Sequence, residues 1–203
     1  MELKILLNQE EEMQREMAKI GQDNEDVKLL MTIPGIDYYT AIALIAEIGD
    51  IKRFPTKRHL CSYSGVVPKA RNSGDVVSQH QRVKHGNNVL KYFLTNAVQG
   101  ILKTKKNTAI KIFYRKKEKQ IGAPKAQVAA ARKLASVVWW VLTNKKPYVD
   151  EDPVLTKRKH KNMNAKAIKA EKEISQEDIK KLIGEIEQKR DVLDRIIHDV
   201  ENG

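Results

Sequence analysis

The residues whose types and spacing could do chemistry lie between Ser64 and Tyr92, a stretch that reads S-G-V-V-P-K-A-R-N-S-G-D-V-V-S-Q-H-Q-R-V-K-H-G-N-N-V-L-K-Y. Ser73 stands there between Asn72 and Gly74. A serine hydroxyl becomes a nucleophile when it is exposed and has a base at hand, and a glycine beside it lets a phosphate backbone come close. His80 or His85 could accept the proton, while Arg71, Arg82 and Lys84 could hold a phosphoryl group as charge develops on it. Lys69 adds one more cation, and Asp75 is the only acid of the stretch. The chemistry in view is attack on a phosphodiester. Ser64, just before Gly65, is a second candidate. The same composition also describes an ordinary solvated loop in which Ser-Gly pairs make turns.

Charge singles out the same region. The chain has 203 residues and a formal net charge of +12. Residues 51–149 hold 22 Lys/Arg against Asp75 and Glu118, a net of +20, so the remainder carries −8. A folded segment that positive repels itself and calls for a polyanionic partner. Nucleic acid is the leading one, because each neutralised phosphate releases counterions. Lys105, Lys106, Arg115 and Lys116 belong to the densest run, residues 103–119. A solvated helix face is the plainer reading of that run. No apolar run approaches a membrane span, and no Walker loop, HExxH motif or dinucleotide fingerprint appears. The histidines and the single Cys61 lack metal-ligand spacing, and two acids cannot build a two-metal nuclease site. A lone cysteine suits a reducing, cytoplasmic setting.

The pattern I-P-G-I-D-x-x-x-A-x-x-L-I-A-E-I, from Ile33, resembles a helix-hairpin-helix. In that module a tight glycine turn aims backbone N–H groups at a phosphate without reading bases. Gly35 would supply the turn. Asp37 stands where a second glycine is usual, and it could instead cap the next helix. An ordinary pair of antiparallel helices fits the pattern as well.

Apolar periodicity sets the frame that must position these residues. Residues 3–30 read as an amphipathic helix, with Gly21 as a possible interruption. A helix from about Tyr38 to Ile48 ends at Gly49-Asp50, and a short one follows Pro55. Helices are expected over 87–103, 106–120 and 124–144, the last with Pro124 in its first turn. The prolines and charge blocks of 149–165 read as a linker, and 166–201 as a final heptad-bearing helix behind Ser175-Gln176-Glu177-Asp178. The expected fold is all-α: a basic helical domain containing a helix-hairpin-helix and flanked by coiled-coil-like arms. Its divisions are an arm at 1–24, the domain at 25–148 with the hairpin at about 28–49, the linker at 149–165, and a tail at 166–203.

Taken in order, L-L-M-T-I-P-G-I-D, A-I-A-L-I-A-E-I-G-D-I-K-R-F, L-C-S-Y-S-G-V-V-P, the Asn-Ser-Gly loop and K-H-G-N-N-V-L-K-Y-F-L resemble one family. It is the C-terminal domain of the insertion-sequence one-ten transposases, bridge-RNA-guided DNA recombinases related to the Piv-type invertases. The resemblance covers about residues 25–148. It implies a serine nucleophile at Ser73, ahead of a Lys-x-Gly-Asn motif at Lys84 to Asn87. It also implies an N-terminal RuvC-like domain whose four acids hold Mg²⁺. No span before residue 25 could hold that domain, so the chain reads as the second half of a transposase, with Mg²⁺ expected only from a RuvC-like partner in trans.

The function expected is that of a DNA transposase half. Ser73 would attack DNA, Lys69, Arg71, Arg82, Lys84 and Asn87 would surround the phosphate, and Gly35, Lys105, Lys106, Arg115 and Lys116 would grip the backbone. Partners would be DNA, a guide RNA and a second copy joined through the arms, with no membrane. The alternative is a non-catalytic helix-hairpin-helix module that docks on DNA or RNA.

Overall fold

The computed structural model describes residues 2–67, 86–170 and 181. Every regular element among them is helical, and no strand occurs among the described residues.

Helix α1 spans Glu2–Gln22 and α2 spans Glu25–Met31. A helix over 3–30, with any interruption at Gly21, was expected here. Asn24 divides it: its carboxamide oxygen accepts hydrogen bonds from the Asp26 and Val27 N–H groups at 2.9 and 3.2 Å, which starts a new helix. Gly21 breaks nothing. It is buried where a Cβ would press on Met163 and Ile42, at 3.1 and 3.3 Å.

The Pro34-Gly35 turn follows, then α3 at Tyr38–Ile48. Asp37 does cap α3, accepting from the Thr40 N–H at 2.8 Å. A 3₁₀ turn at Ile51–Arg53 leads to α4, Lys57–Tyr63. Then come α5 at Asn88–Lys103, α6 at Ala109–Ile121 and α7 at Ala123–Asn144, with Pro124 in the first turn of α7. Helix α6 starts at Ala109 rather than 106 because the Thr108 hydroxyl caps it.

The core is aliphatic and centres on α7, which packs against α2, α4, α5 and α6. Ala126, Ala130, Ala131 and Ala135 are buried along it and let those neighbours approach closely. Leu134, Val138 and Val141 fill the space between. Burial of each such branched side chain contributes about 1.5–3 kcal/mol.

Where the linker was expected, the chain is helical over 153–170; this is α8. It begins on an Asp152 cap, whose carboxylate accepts from the Leu155 N–H at 3.2 Å. It runs antiparallel to α1: Gln22 bonds Asn164 at 3.1 Å, and Glu11 meets Lys169 at 3.6 Å. Met163 and Ala167 are buried under it. The two arms therefore pair within one molecule over the described residues. The rest of the expected tail, including its capping box, lies outside them.

Candidate nucleic-acid interface

The segment that carries Ser73 lies between α4 and α5. Ser73, Lys69, Arg71, Arg82 and Lys84, with His80 and His85, lie outside the described residues. Both of its attachment points lie within them.

At the departure, Ser64 is fully buried and its hydroxyl donates to the Cys61 carbonyl at 3.1 Å. That bond removes Ser64 from the list of candidate nucleophiles. Gly65 then turns the chain with φ +63°, a conformation that favours glycine. At the return, a Cβ on Gly86 would stand 2.5 Å from Gly65 Cα and 2.8 Å from Gly65 N. The two glycines thus bring backbone against backbone. The Asn87 N–H donates to the Tyr63 carbonyl at 2.7 Å and closes the base.

Asn87 was expected to touch nucleic acid. In the structure its half-buried side chain bonds other groups of the protein. Oδ1 accepts from the Leu90 N–H at 2.8 Å and so caps α5. Nδ2 donates to a Glu47 carboxylate oxygen on α3 and reaches the Tyr63 hydroxyl at 3.4 Å. Arg53 stacks beside this cluster, its guanidinium carbon 4.7 Å from the Tyr63 ring centroid and 4.8 Å from that of Phe54. Hydrogen bonds from Asn87 and Arg53 favour the phenolate and hold the Tyr63 hydroxyl below the usual tyrosine range. Tyr63 remains exposed. Reading the sequence missed this Glu47–Arg53–Tyr63–Asn87 group, because its members come from four different elements and no spacing links them.

Gly35 has φ +86°, and its open side faces α5. A Cβ there would fall 2.5 Å from the Ala97 carbonyl oxygen and 2.6 Å from the Ile101 nitrogen. Gly100, in the last turn of α5, meets Gly35 in turn: its added Cβ would lie 2.9 Å from Gly35 Cα. The missing side chain is thus explained by close packing. A glycine inside an otherwise apolar helix was the available signal. Lys159 of α8 steadies the same turn by donating to the Met31 and Ile33 carbonyls at 2.7 and 2.8 Å. Burial pushes its pKa down to about 8.

The basic run of α6 is divided in its roles. Lys111 is buried and its ammonium bonds the Thr104 carbonyl; Lys106 donates to the Glu151 carbonyl at 2.7 Å. Lys105, Arg115 and Lys116 are exposed. Arg115 and Lys116 stand on α6, apart from the two helices that carry the loop. No group of three or more His, Cys, Asp or Glu among the described residues could hold a metal ion, and no helix among them is long and apolar enough to cross a membrane.

Comparison with known proteins bears on this frame. Residues 27–115 match the Transposase IS116/IS110/IS902 family. The matched segment runs from α2 to the middle of α6 and so includes both the Pro34-Gly35 turn and the serine loop. The transposase for insertion sequence element IS1111A of Coxiella burnetii is 31% identical over 148 residues, which are 70% of this chain and 41% of that protein. The pilin gene-inverting protein of Moraxella bovis is 31% identical over 129 residues, 62% of this chain and 39% of the relative. The transposase for insertion sequence element IS1328 of Yersinia enterocolitica is 36% identical over 69 residues, 34% and 21% of the two chains. The chain spans about two-fifths of the length of the first two relatives.

Proposed function

We propose that this chain acts in DNA transposition as the serine-bearing part of an insertion-sequence transposase, binding DNA and supplying Ser73 as the nucleophile. The observation that carries the proposal is the closed base of the loop. Gly65 against Gly86, with the Asn87–Tyr63 bond, brings together the two points at which the segment containing Ser73 leaves and rejoins the helices. In sequence, that segment carries Ser73 together with Arg71, Arg82 and Lys84. The family match over 27–115 and the names of the relatives support the same reading.

The step would run as follows. Ser73 Oγ attacks phosphorus, its proton passing to the imidazole of His80 or His85. A P–Oγ bond forms, a P–O bond to a deoxyribose breaks, and the leaving sugar oxygen takes up a proton. The phosphoserine diester keeps the energy of the broken link, so a second strand end can reverse the attack and be joined. Arg71, Arg82 and Lys84 offset the added negative charge. Lys69 lies on the same loop. Gly35 and its helix-hairpin-helix turn, with Lys105, Lys106, Arg115 and Lys116, would hold the DNA away from the scissile bond. The described carboxylates do not form a seat for Mg²⁺, so no step passes through it; a RuvC-like domain would bring it. A guide RNA and a second copy of the chain are further proposed partners.

The test is to mix the chain with a RuvC-like carboxylate domain, Mg²⁺ and end-labelled insertion-sequence DNA. A covalent protein–DNA adduct that disappears in Ser73→Ala is the expected result. An adduct that survives Ser73→Ala refutes the assignment. Salt-sensitive binding with no adduct at all would leave the non-catalytic docking module as the function.

A further inference from the structure

Beyond the far end of α5 lies a cleft of about 650 Å³, walled by the Pro34-Gly35 turn, the α5–α6 connection and the first turns of α8. Six charged residues line it: Lys103, Lys105, Arg158, Lys159, Asp37 and Asp152. They are not equivalent. The Asp37 and Asp152 carboxylates accept from N–H groups in the first turns of α3 and α8, where helix dipoles favour negative charge. Lys159 is committed to the Met31 and Ile33 carbonyls. Among the described residues, Lys103, Lys105 and Arg158 have no hydrogen-bond or ion-pair partner.

These three cations sit on a fixed frame. The Lys111 ammonium holds the Thr104 carbonyl between Lys103 and Lys105. Lys106 holds the Glu151 carbonyl at 2.7 Å, and the Ala109 N–H donates to Asp150 at 2.9 Å. The connection is thereby clamped to the segment that leads into α8. Like charges gathered on a rigid concave rim raise the local positive potential and bind anions without reorganising. They come from two separate segments, 103–105 and α8, which suits a row of repeated charges better than one small anion.

We infer that this cleft is a second site for the phosphodiester backbone of a nucleic acid, with Lys103, Lys105 and Arg158 neutralising its phosphates. The inference rests on the nucleic-acid reading above but concerns Lys103, Lys105 and Arg158 rather than Ser73 and the cations near it in sequence. Asn88 and Gly100 mark the two ends on α5, and twelve helical steps between them span about 18 Å.

The experiment measures binding of the full chain to a labelled DNA duplex and to a labelled RNA hairpin across a salt series. The variant carries Lys103→Ala, Lys105→Ala and Arg158→Ala. A charge-matched control carries Lys146→Ala, Lys157→Ala and Lys161→Ala. On duplex DNA, the cleft variant is expected to lose about 2.7 from the slope of log K against log salt, at about 0.9 per phosphate contact. It should bind about tenfold more weakly or worse, with the control close to wild type. A loss confined to one polymer also supports the site and names its ligand. Equal slopes for cleft variant and control on both polymers overturn it. Circular dichroism checks folding, and Lys105→Ala alone serves if the triple variant unfolds. The adduct assay separates the two claims. A Ser73-dependent adduct with an unchanged slope sinks only the cleft, and a cleft effect without the adduct sinks only the transposase reading.

Discussion

The two ends of α5 use the same device for different purposes. At each end a glycine of one segment touches a glycine of another, and neither contact has room for a Cβ. At the C-terminal end, Gly35 against Gly100 draws the Pro34-Gly35 turn into the core, surrounded by Ala97 and Ile101. At the N-terminal end, Gly65 against Gly86 lies beside exposed Tyr63 and is tied by hydrogen bonds through Asn87. The first contact is a packing joint. The second is a polar clasp at which the segment between α4 and α5 begins and ends, and connections held on a rigid scaffold are where binding and catalysis are often carried. Close glycine contact alone therefore says nothing about function; its surroundings do.

Substitutions can break this contrast, and the largest effect belongs at the packing joint. Gly35→Ala forces both a positive φ and a clash with α5 backbone, and should cost about 4 kcal/mol in urea unfolding. A cost near that of an exposed loop glycine would refute the packing account. Lys159 is next. Its folded pKa of about 8 lies below the 10.5 of a free lysine. Between those values the unfolded chain binds the proton and the folded one releases it, so stability should rise with pH there, by at most about 3 kcal/mol. The neutral amine still has enough N–H groups for both carbonyls. Lys159→Met should abolish that rise, measured as the difference between the two unfolding curves from pH 8 to 10.5.

At the clasp the expected costs are smaller. Gly86→Ala should cost about 2 kcal/mol, because Gly65 has to yield. It should also weaken adduct formation by more than its stability cost explains. Asn87→Ala removes the cap of α5 and should cost about 1 kcal/mol, with faster amide exchange over the first turn of that helix. Smallest is Arg53→Ala. Global stability should barely change, while the Tyr63 phenol, followed by its absorbance, titrates closer to the ordinary tyrosine value. An unmoved titration would mean that the guanidinium does not act on the hydroxyl.

The all-α class and most helix positions were readable because their signals are local. Asp37 as a cap, Gly49-Asp50 as a stop and Pro124 at the start of α7 depend only on neighbours in sequence. Asp152 and Pro153 were read as linker residues, yet an acidic cap followed by proline at the first helical position is itself a start signal. The helical pattern that masked Asn24 shows the opposite failure: periodicity ran straight through a residue that caps. The candidate site was legible only in composition. Ser73 and its cations declare themselves by type. What holds the loop does not, because Glu47, Arg53, Tyr63 and Asn87 meet only after the chain has folded. Gly35 was noticed for its turn, while its contact with Gly100 was invisible without the packing.

One consequence follows from the touching of Gly65 and Gly86. Contact between residues 65 and 86 fixes where the intervening chain must begin and end. The entropy of closing such a ring grows only with the logarithm of its length, so each doubling costs about 0.6 kcal/mol. The closure term therefore changes little when residues are added or removed between Gly65 and Gly86. Closure entropy by itself thus sets only a weak limit on the length that selection can give that segment.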